Sequence, residues 1–430
     1  MTLPRTYRRP AARAAAVLVT AATLLAGSAA TATAGPPLGV ILSAGGETAI
    51  ANSYIVTLRD ETVAAEMKAS GRGGAVARRA AVADVARTLA TRYDARIVRT
   101  YTDALYGFEA VLPERAARRL AADAAVAWVE QNHRISIDSH VPQNDPDAVA
   151  VQGVQTNPPS WGLDRIDQRY LPLDQRFVYP NTAPRVHAYV VDTGIRSTHV
   201  DFGGRVQAGV DFVDGGPADD CNGHGTFLAG VIGGRAHGVA KEVQLVPVRV
   251  LDCFGTGAWS QLIAGIDWIT ANARRPAVVE MGLGGTAVTS VDAAITRSIE
   301  AGITYVVSAG SSNANACNYT PARVPAALTV ASTTQTDARH SASNYGTCLD
   351  IFAPGIDITS AWNTNDTATV TIGGTAPASA HVAGCAAVVA QAHPDWTAHQ
   401  VAAHVNAVAT QGIVTNPGTG SPNRLLYCAV

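Results

Sequence analysis

The chain has 430 residues, of which 47% are hydrophobic and 15% charged, with a net charge of -2 and six cysteines. That length accommodates two or three folded units of the usual ~100–200 residues; the composition excludes wholesale disorder, and without a run of about 18 apolar residues it excludes a multi-spanning membrane protein. Residues 1–34 carry four Arg and no acid, 35–137 carry 13 basic and 11 acidic residues, and 138–430 carry 15 and 23, so no segment offers a basic footprint for nucleic acid.

Residues 1–34 read as an export signal. Arg5, Arg8, Arg9 and Arg13 form a basic n-region, Ala14 to Leu25 an apolar stretch of 12 residues, and Ala32-Thr33-Ala34 an A-x-A cleavage pattern. Twelve helical residues span about 18 Å, short of a ~30 Å hydrocarbon core. A secreted, extracellular protein is therefore expected, with no membrane contact once the signal is removed. Arg8-Arg9 raises twin-arginine export, but the following Pro10-Ala11-Ala12 lacks the bulky apolar residue that would support it.

Residues 53–137 read as a small α/β unit. Tyr54 to Leu58 is β-rich, Ala75 to Thr91 has a helical pattern, and Ile97 to Leu112 alternates like two strands joined at Leu105-Tyr106-Gly107. Pro113 to Ala122 reads as a helix opened by proline, and Ala124 to Val129 as a last strand. Strand-helix-strand-strand-helix-strand with both helices on one face is a ferredoxin-like α+β arrangement.

Residues 138–159 are rich in Asp, Asn, Pro and Gln and read as a linker open to proteolysis. In 160–430, strand-like runs at Val186 to Val191, Val243 to Val250, Ala277 to Met281, Ile303 to Ser308 and Ala327 to Ala331 alternate with helical patterns. The latter are Gly225 to Ile232, Ser260 to Ala273, Val291 to Ala301 and Ala378 to Ala392. Short, nearly continuous Val/Ile runs separated by helices predict an α/β domain, a parallel sheet with helices on both faces. Cys221, Cys253, Cys317, Cys348, Cys385 and Cys428 all fall here. An even number in an exported chain favours disulfides, whose pairing spacing alone leaves open among 15 possibilities.

Val190-Val191-Asp192-Thr193-Gly194 places an Asp at the carboxyl end of a buried strand, where open α/β sheets carry their sites. Asn222-Gly223-His224-Gly225-Thr226 places a His between glycines at the start of a helix. Either alone is more often a turn or a structural residue; Asp then His suggests the orienter and base of a nucleophilic triad.

With these two motifs the chain resembles a secreted subtilase of the proteinase K branch in pre-pro-mature form. The resemblance runs through Ser160 to Asp167, Gly238 to Lys241, Leu283-Gly284-Gly285, Asn313 to Pro325, Ser343 to Gly346, Phe352 to Gly355 and His381 to Gly384. It implies a subtilisin-like parallel sheet preceded by a prodomain that assists folding and then inhibits. It also exposes departures. The family's Gly-Thr-Ser-Met-Ala-x-Pro-His-Val-Ala-Gly is here Gly374-Thr375-Ala376-Pro377-Ala378-Ser379-Ala380-His381-Val382-Ala383-Gly384, which puts Ala376 at the nucleophile. Ser311 stands where an Asn side chain would serve the oxyanion hole, Phe227 where a second His is usual, and Glu280 and Gly282 in the Asn-Met-Ser-Leu-Gly-Gly block. Pro377, following Ala376, is expected to reshape the nucleophile turn.

Alanine cannot attack a carbonyl. In subtilisin, a relative, loss of the nucleophile costs about 10⁶ in turnover and loss of the oxyanion side chain about 10²–10³. Rescue by Ser379 would require His224 to reach about one helical turn, ~4.5 Å, along the axis. The expectation is a pseudoprotease that retains Asp192 and His224; the alternatives are an endopeptidase of weak or unconventional activity and a decayed paralogue with no role.

By the resemblance, Gly255-Thr256-Gly257 and Gly282-Leu283-Gly284 are two edge strands that hold an extended peptide. The implied partners are a peptide or protein in that groove and the chain's own prodomain, on a monomer. Without a nucleophile the prodomain would stay attached unless another protease cuts within 138–160. The resemblance also implies the disulfides Cys221–Cys253 and Cys317–Cys348, leaving Cys385 with Cys428, and a structural Ca²⁺ held by Asp350 and the carbonyls of Pro325 and Ala327.

Overall fold

The computed structural model describes residues 38–71, 73–137, 139–140 and 153–428. The proposed signal, residues 1–34, and most of the proposed linker lie outside the described residues.

The N-terminal part contains β1 (Ala49–Leu58), α1 (Asp60–Ala69), α2 (Gly74–Tyr93), β2 (Arg96–Tyr101), β3 (Gly107–Val111), α3 (Glu114–Leu120) and β4 (Val126–Ile137). Its antiparallel strand order, β4-β1-β3-β2, is the ferredoxin-like order. Val82, Ala86 and Leu89 of α2 pack with Val56, Phe108 and Val129 of the sheet. Two features depart from the sequence expectation. Helix α1 was not expected because it has no apolar stripe, with Val63 as its buried residue; Asp60-Glu61 at its start and Lys68 at its end complement the helix dipole instead. Strand β4 continues eight residues past Val129 through the polar run Glu130 to Arg134. Those side chains are satisfied by partners: Gln131 Nε2 donates to the carbonyls of Ile50 and Ser53, and Asn132 Nδ2 to Ser260 Oγ.

A further short strand, β5 (Ser139–His140), precedes the large domain. The domain's central strands are β6 (His187–Asp192), β7 (Gln244–Arg249), β8 (Ala277–Met281), β9 (Thr304–Ser308), β10 (Leu328–Thr333) and β11 (Ile351–Pro354). They are parallel, in the spatial order β7-β6-β8-β9-β10-β11. Helices α4 (His224–Gly233) and α5 (Thr375–Ala392) bury one face of the sheet, with Leu228, Val231, Val382 and Val389 against Val190, Val306 and Val330. Helices α6 (Trp259–Asn272) and α7 (Thr289–Glu300) cover the other, with Trp259, Ile263, Val291 and Ile295 against Val191, Val248 and Val307. The expected sheet covered on both faces is therefore present. Strand β11 and a helix at Ala398–Val408 were not expected.

Helix α5 begins at Thr375, three residues before the expected start, and includes Ala376. Pro377 lies in its first turn, where a missing N–H removes no intrahelical bond. The expected reshaping by Pro377 is not found.

Candidate active site

Asp192 ends β6 and His224 begins α4, both buried. His224 Nδ1 lies 2.9 Å from each Asp192 carboxylate oxygen. The surrounding turn is cross-tied: Thr193 Oγ1 donates to Asp220, Gly225 N–H donates to Thr193 Oγ1, and Asp220 Oδ2 accepts from Thr226 N–H and Oγ1. Asp192 also accepts from Thr193 N–H at 2.8 Å, which fixes the carboxylate facing the imidazole.

Ala376, in the first turn of α5, is fully buried in the same region. A Cβ built on Gly282 would meet Ala376 Cβ at 2.9 Å, His224 Cε1 at 3.3 Å and Leu228 Cδ1 at 2.6 Å. Ala376, Gly282 and the imidazole thus line one small space, too narrow for a side chain at 282 without movement. Ser311 Oγ lies 3.4 Å from both the backbone N and Oγ1 of Thr375, so its short side chain is engaged beside the turn. Thr375 Oγ1 accepts from Gly310 N–H.

One group that the sequence shows only as a departure from the family block has a specific partner. Glu280, in the otherwise apolar β8, is buried, and its Oε1 lies 2.6 Å from Ser379 Oγ. Ser379 Oγ is also 2.9 Å from the carbonyl oxygen of Ala376. Burial, then the nearby Asp192 charge, pushes the Glu280 carboxyl well above the usual carboxylate range. A lone acid in a buried-type strand was the available signal; its partner lies 99 residues away.

The proposed groove holds the protein's own chain. Strand β4 lies between Thr256–Ala258 and Leu283–Thr286, with Thr256 and Gly284 both opposite Ser136, Gly257 opposite Ile135 and Leu283 opposite Ile137. Ile137 N–H donates to Gly255 O at 3.0 Å. Gly255 permits this approach: its φ is +71° and a Cβ there would meet Ile137 Cδ1 at 2.7 Å. Beyond residue 138, Ser139 and His140 pair antiparallel with Gly374 and Gly373, immediately before α5. Strand β4 therefore fills the space between the two edge strands, and β5 pairs with the residues that lead into α5.

Polar anchors fix this docking. Glu130 accepts from the N–H groups of Thr289 and Ser290 and from Ser290 Oγ, at the amino end of α7. Asn132 Oδ1 accepts from Ser260 N–H at the amino end of α6. In return, Asp267 of α6 accepts from the N–H groups of Thr102, Asp103 and Ala104.

The disulfides are Cys221–Cys253, Cys317–Cys348 and Cys385–Cys428, as the resemblance implied. Among the described residues no group of three or more His, Cys, Asp or Glu is arranged to hold a metal. Asp350 Oδ2 accepts from Thr329 N–H; its Oδ1 has a 3.4 Å contact with the amide of Asn406, whose own Oδ1 is a buried acceptor without a partner. This local pair, one carboxylate and an unsatisfied amide oxygen, offers oxygen donors that suit a hard cation better than a soft one.

A parallel sheet bearing Asp at a strand end and His at a helix start, with a ferredoxin-like domain laid along its groove, defines a subtilisin-like protease fold with an inhibitory N-terminal domain. The chain belongs to the subtilase family, whose profile matches residues 188–425, and residues 53–138 match the peptidase inhibitor I9 family. It is 48% identical over 384 residues to an extracellular serine proteinase of Thermus sp. (strain Rt41A), covering 88% of this chain and 90% of that one. It is 41% identical over 291 residues to an alkaline proteinase of Hapsidospora chrysogena, covering 66% and 71%. The crystal structure of a cold adapted subtilisin-like serine proteinase matches with a TM-score of 0.62 at 48% identity, covering 63% of this chain and 98% of that one. Among the described residues no helix is long and apolar enough to cross a membrane.

Proposed function

We propose that this protein is a secreted, proteolytically inactive subtilase homologue that keeps its prodomain in its groove and binds peptides or a protein partner there when the prodomain is displaced. The observation that carries this reading is Ala376, a methyl group in the space shared with His224 and Gly282. His224 is the base and Asp192 its orienter, and position 376 offers no hydroxyl for them to activate. Ser379 does not replace the nucleophile, because its hydroxyl is engaged by Glu280 and the Ala376 carbonyl. Peptide binding needs the backbone groups of the two edge strands more than side chains, and those groups are paired with β4 in the manner of strand addition. Asp350, with the Pro325 and Ala327 carbonyls, would hold a Ca²⁺ that stabilises the fold.

A second reading, weak or unconventional endopeptidase activity, is favoured by the intact Asp192–His224 pair and by relatives that are named proteinases. Hydrolysis of casein or a chromogenic peptide by the purified large domain separates the two. Absence of turnover supports the first; hydrolysis that Ser379→Ala abolishes would establish the second.

A further inference from the structure

We propose that the Glu280 carboxyl carries a proton at neutral pH and is a positioning residue, gripping the Ala376 turn through Ser379. Three oxygens stand in a row, Glu280 Oε1, Ser379 Oγ and the Ala376 carbonyl, separated by 2.6 and 2.9 Å. Ser379 supplies one hydrogen and the carbonyl none. Both contacts contain a hydrogen only if Glu280 donates to Ser379 and Ser379 donates to Ala376.

With an ionised Glu280, Ser379 would turn its hydrogen to the carboxylate, leaving two oxygens 2.9 Å apart with nothing between them. The negative charge would also be shared with Oε2, which is buried and has no hydrogen-bond partner. The Ser379 hydroxyl and the Gly282 N–H would favour the ion, but burial and the Asp192 charge outweigh them. Of the titratable groups facing this space, Asp192 from β6 opposes a second negative charge, and α4 contributes His224, already engaged with Asp192. Helix α5 contributes the neutral Ser379 hydroxyl. The relay ends on the peptide of Ala376, so it ties β8 to the turn on which a nucleophile would sit. This holds whether or not the site turns over peptides.

Infrared spectroscopy of the full chain tests it. At neutral pH the difference spectrum of wild type minus Glu280→Gln should contain the carbonyl stretch of a protonated carboxylic acid; Asp and Glu residues common to both proteins cancel. In Ser379→Ala the same band should persist at higher frequency, since the acid loses its acceptor. No protonated-acid band in the first comparison, or an unmoved band in the second, overturns the proposal. Thermal melts read it independently. A folded-state carboxyl that keeps its proton above the unfolded value of 4.5 loses stability as pH rises from there through its folded pKa. The Tm difference should therefore widen by several degrees in favour of Glu280→Gln between about pH 5 and pH 9. Parallel Tm curves would reject it even if the variant is less stable throughout.

Discussion

His224 Nδ1 stands 2.9 Å from both carboxylate oxygens of Asp192, a pairing that the proposed reading takes as a triad without its nucleophile. A dyad held this closely, with Thr193 and Asp220 bracing its turns, is ready to serve a hydroxyl placed at 376.

Restoring that hydroxyl should restore chemistry. Ala376→Ser with Ser311→Asn is expected to raise turnover of a chromogenic peptide by at least about 10³ over the unmodified large domain, a conservative share of the ~10⁶ that the nucleophile contributes in subtilisin. Gly282 should be left in place, since a Cβ there would meet Ala376 Cβ at 2.9 Å. Failure of the double variant, with its melting temperature unchanged, would mean that the scaffold itself no longer supports catalysis.

The fold was legible where burial writes a pattern. The Val/Ile runs of the central sheet and the apolar faces of its helices are local signals, and they survive in the structure with small boundary shifts. Ala376 could be aligned with the family's nucleophile because it falls in an ungapped motif. What escaped depends on partners distant in sequence. Glu130 to Arg134 look too polar for a strand until the amino ends of α7 and α6 arrive to take Glu130 and Asn132 and the edge at 256–258 pairs with Arg134. Glu280 reads as a substitution until α5 brings Ser379 to it.

Prodomain retention follows from the same geometry. Residues 134–137 pair with the two edge strands and 139–140 with the residues before α5; on the proposed reading, in which Ala376 leaves the site without a nucleophile, the chain does not cut itself there. Intact mass of the secreted protein should therefore correspond to a species that still contains residues 35–137. A self-generated N-terminus near residues 150–160, formed by the pure protein, would contradict it.

Glu130 should be the strongest single anchor of that docking. It is fully buried and supplies a carboxylate to the amino end of α7, where Val288 at the cap position has no side-chain acceptor. Glu130→Ala removes this cap and strands buried donors, at a cost of about 1–3 kcal/mol. The expected readouts are a lower urea midpoint for the full chain and faster prodomain removal by an added protease. An unchanged midpoint would assign the docking to the β4 backbone alone.

Calcium binding is expected to be visible as stabilisation. Adding Ca²⁺ should raise the melting temperature of the full chain, and Asp350→Asn should remove the rise, because the amide lacks the charge that favours a divalent cation. An identical rise in wild type and variant would place any bound Ca²⁺ elsewhere.

The pH dependence of stability should carry a signature of Asp167. Its Oδ2 accepts Val178 N–H at 2.5 Å, while its Oδ1 is buried without a partner. Burial, reinforced by the charges of Asp164 and Asp174, pushes this carboxyl up to about 7. In the unfolded chain it would release its proton near 3.8. Between those values the folded state holds more protons than the unfolded state, so stability falls as pH rises through the window, and the loss is complete above about 7. Asp167→Asn keeps an acceptor for Val178 N–H and removes the charge. The variant should match wild type near pH 4 and exceed it near pH 8 by about 1–2 kcal/mol, a value discounted from the full shift because a half-buried carboxyl is partly screened by water. Urea midpoints at the two pH values decide this: an equal difference at both would mean that Asp167 ionises as freely in the folded protein as in the unfolded chain.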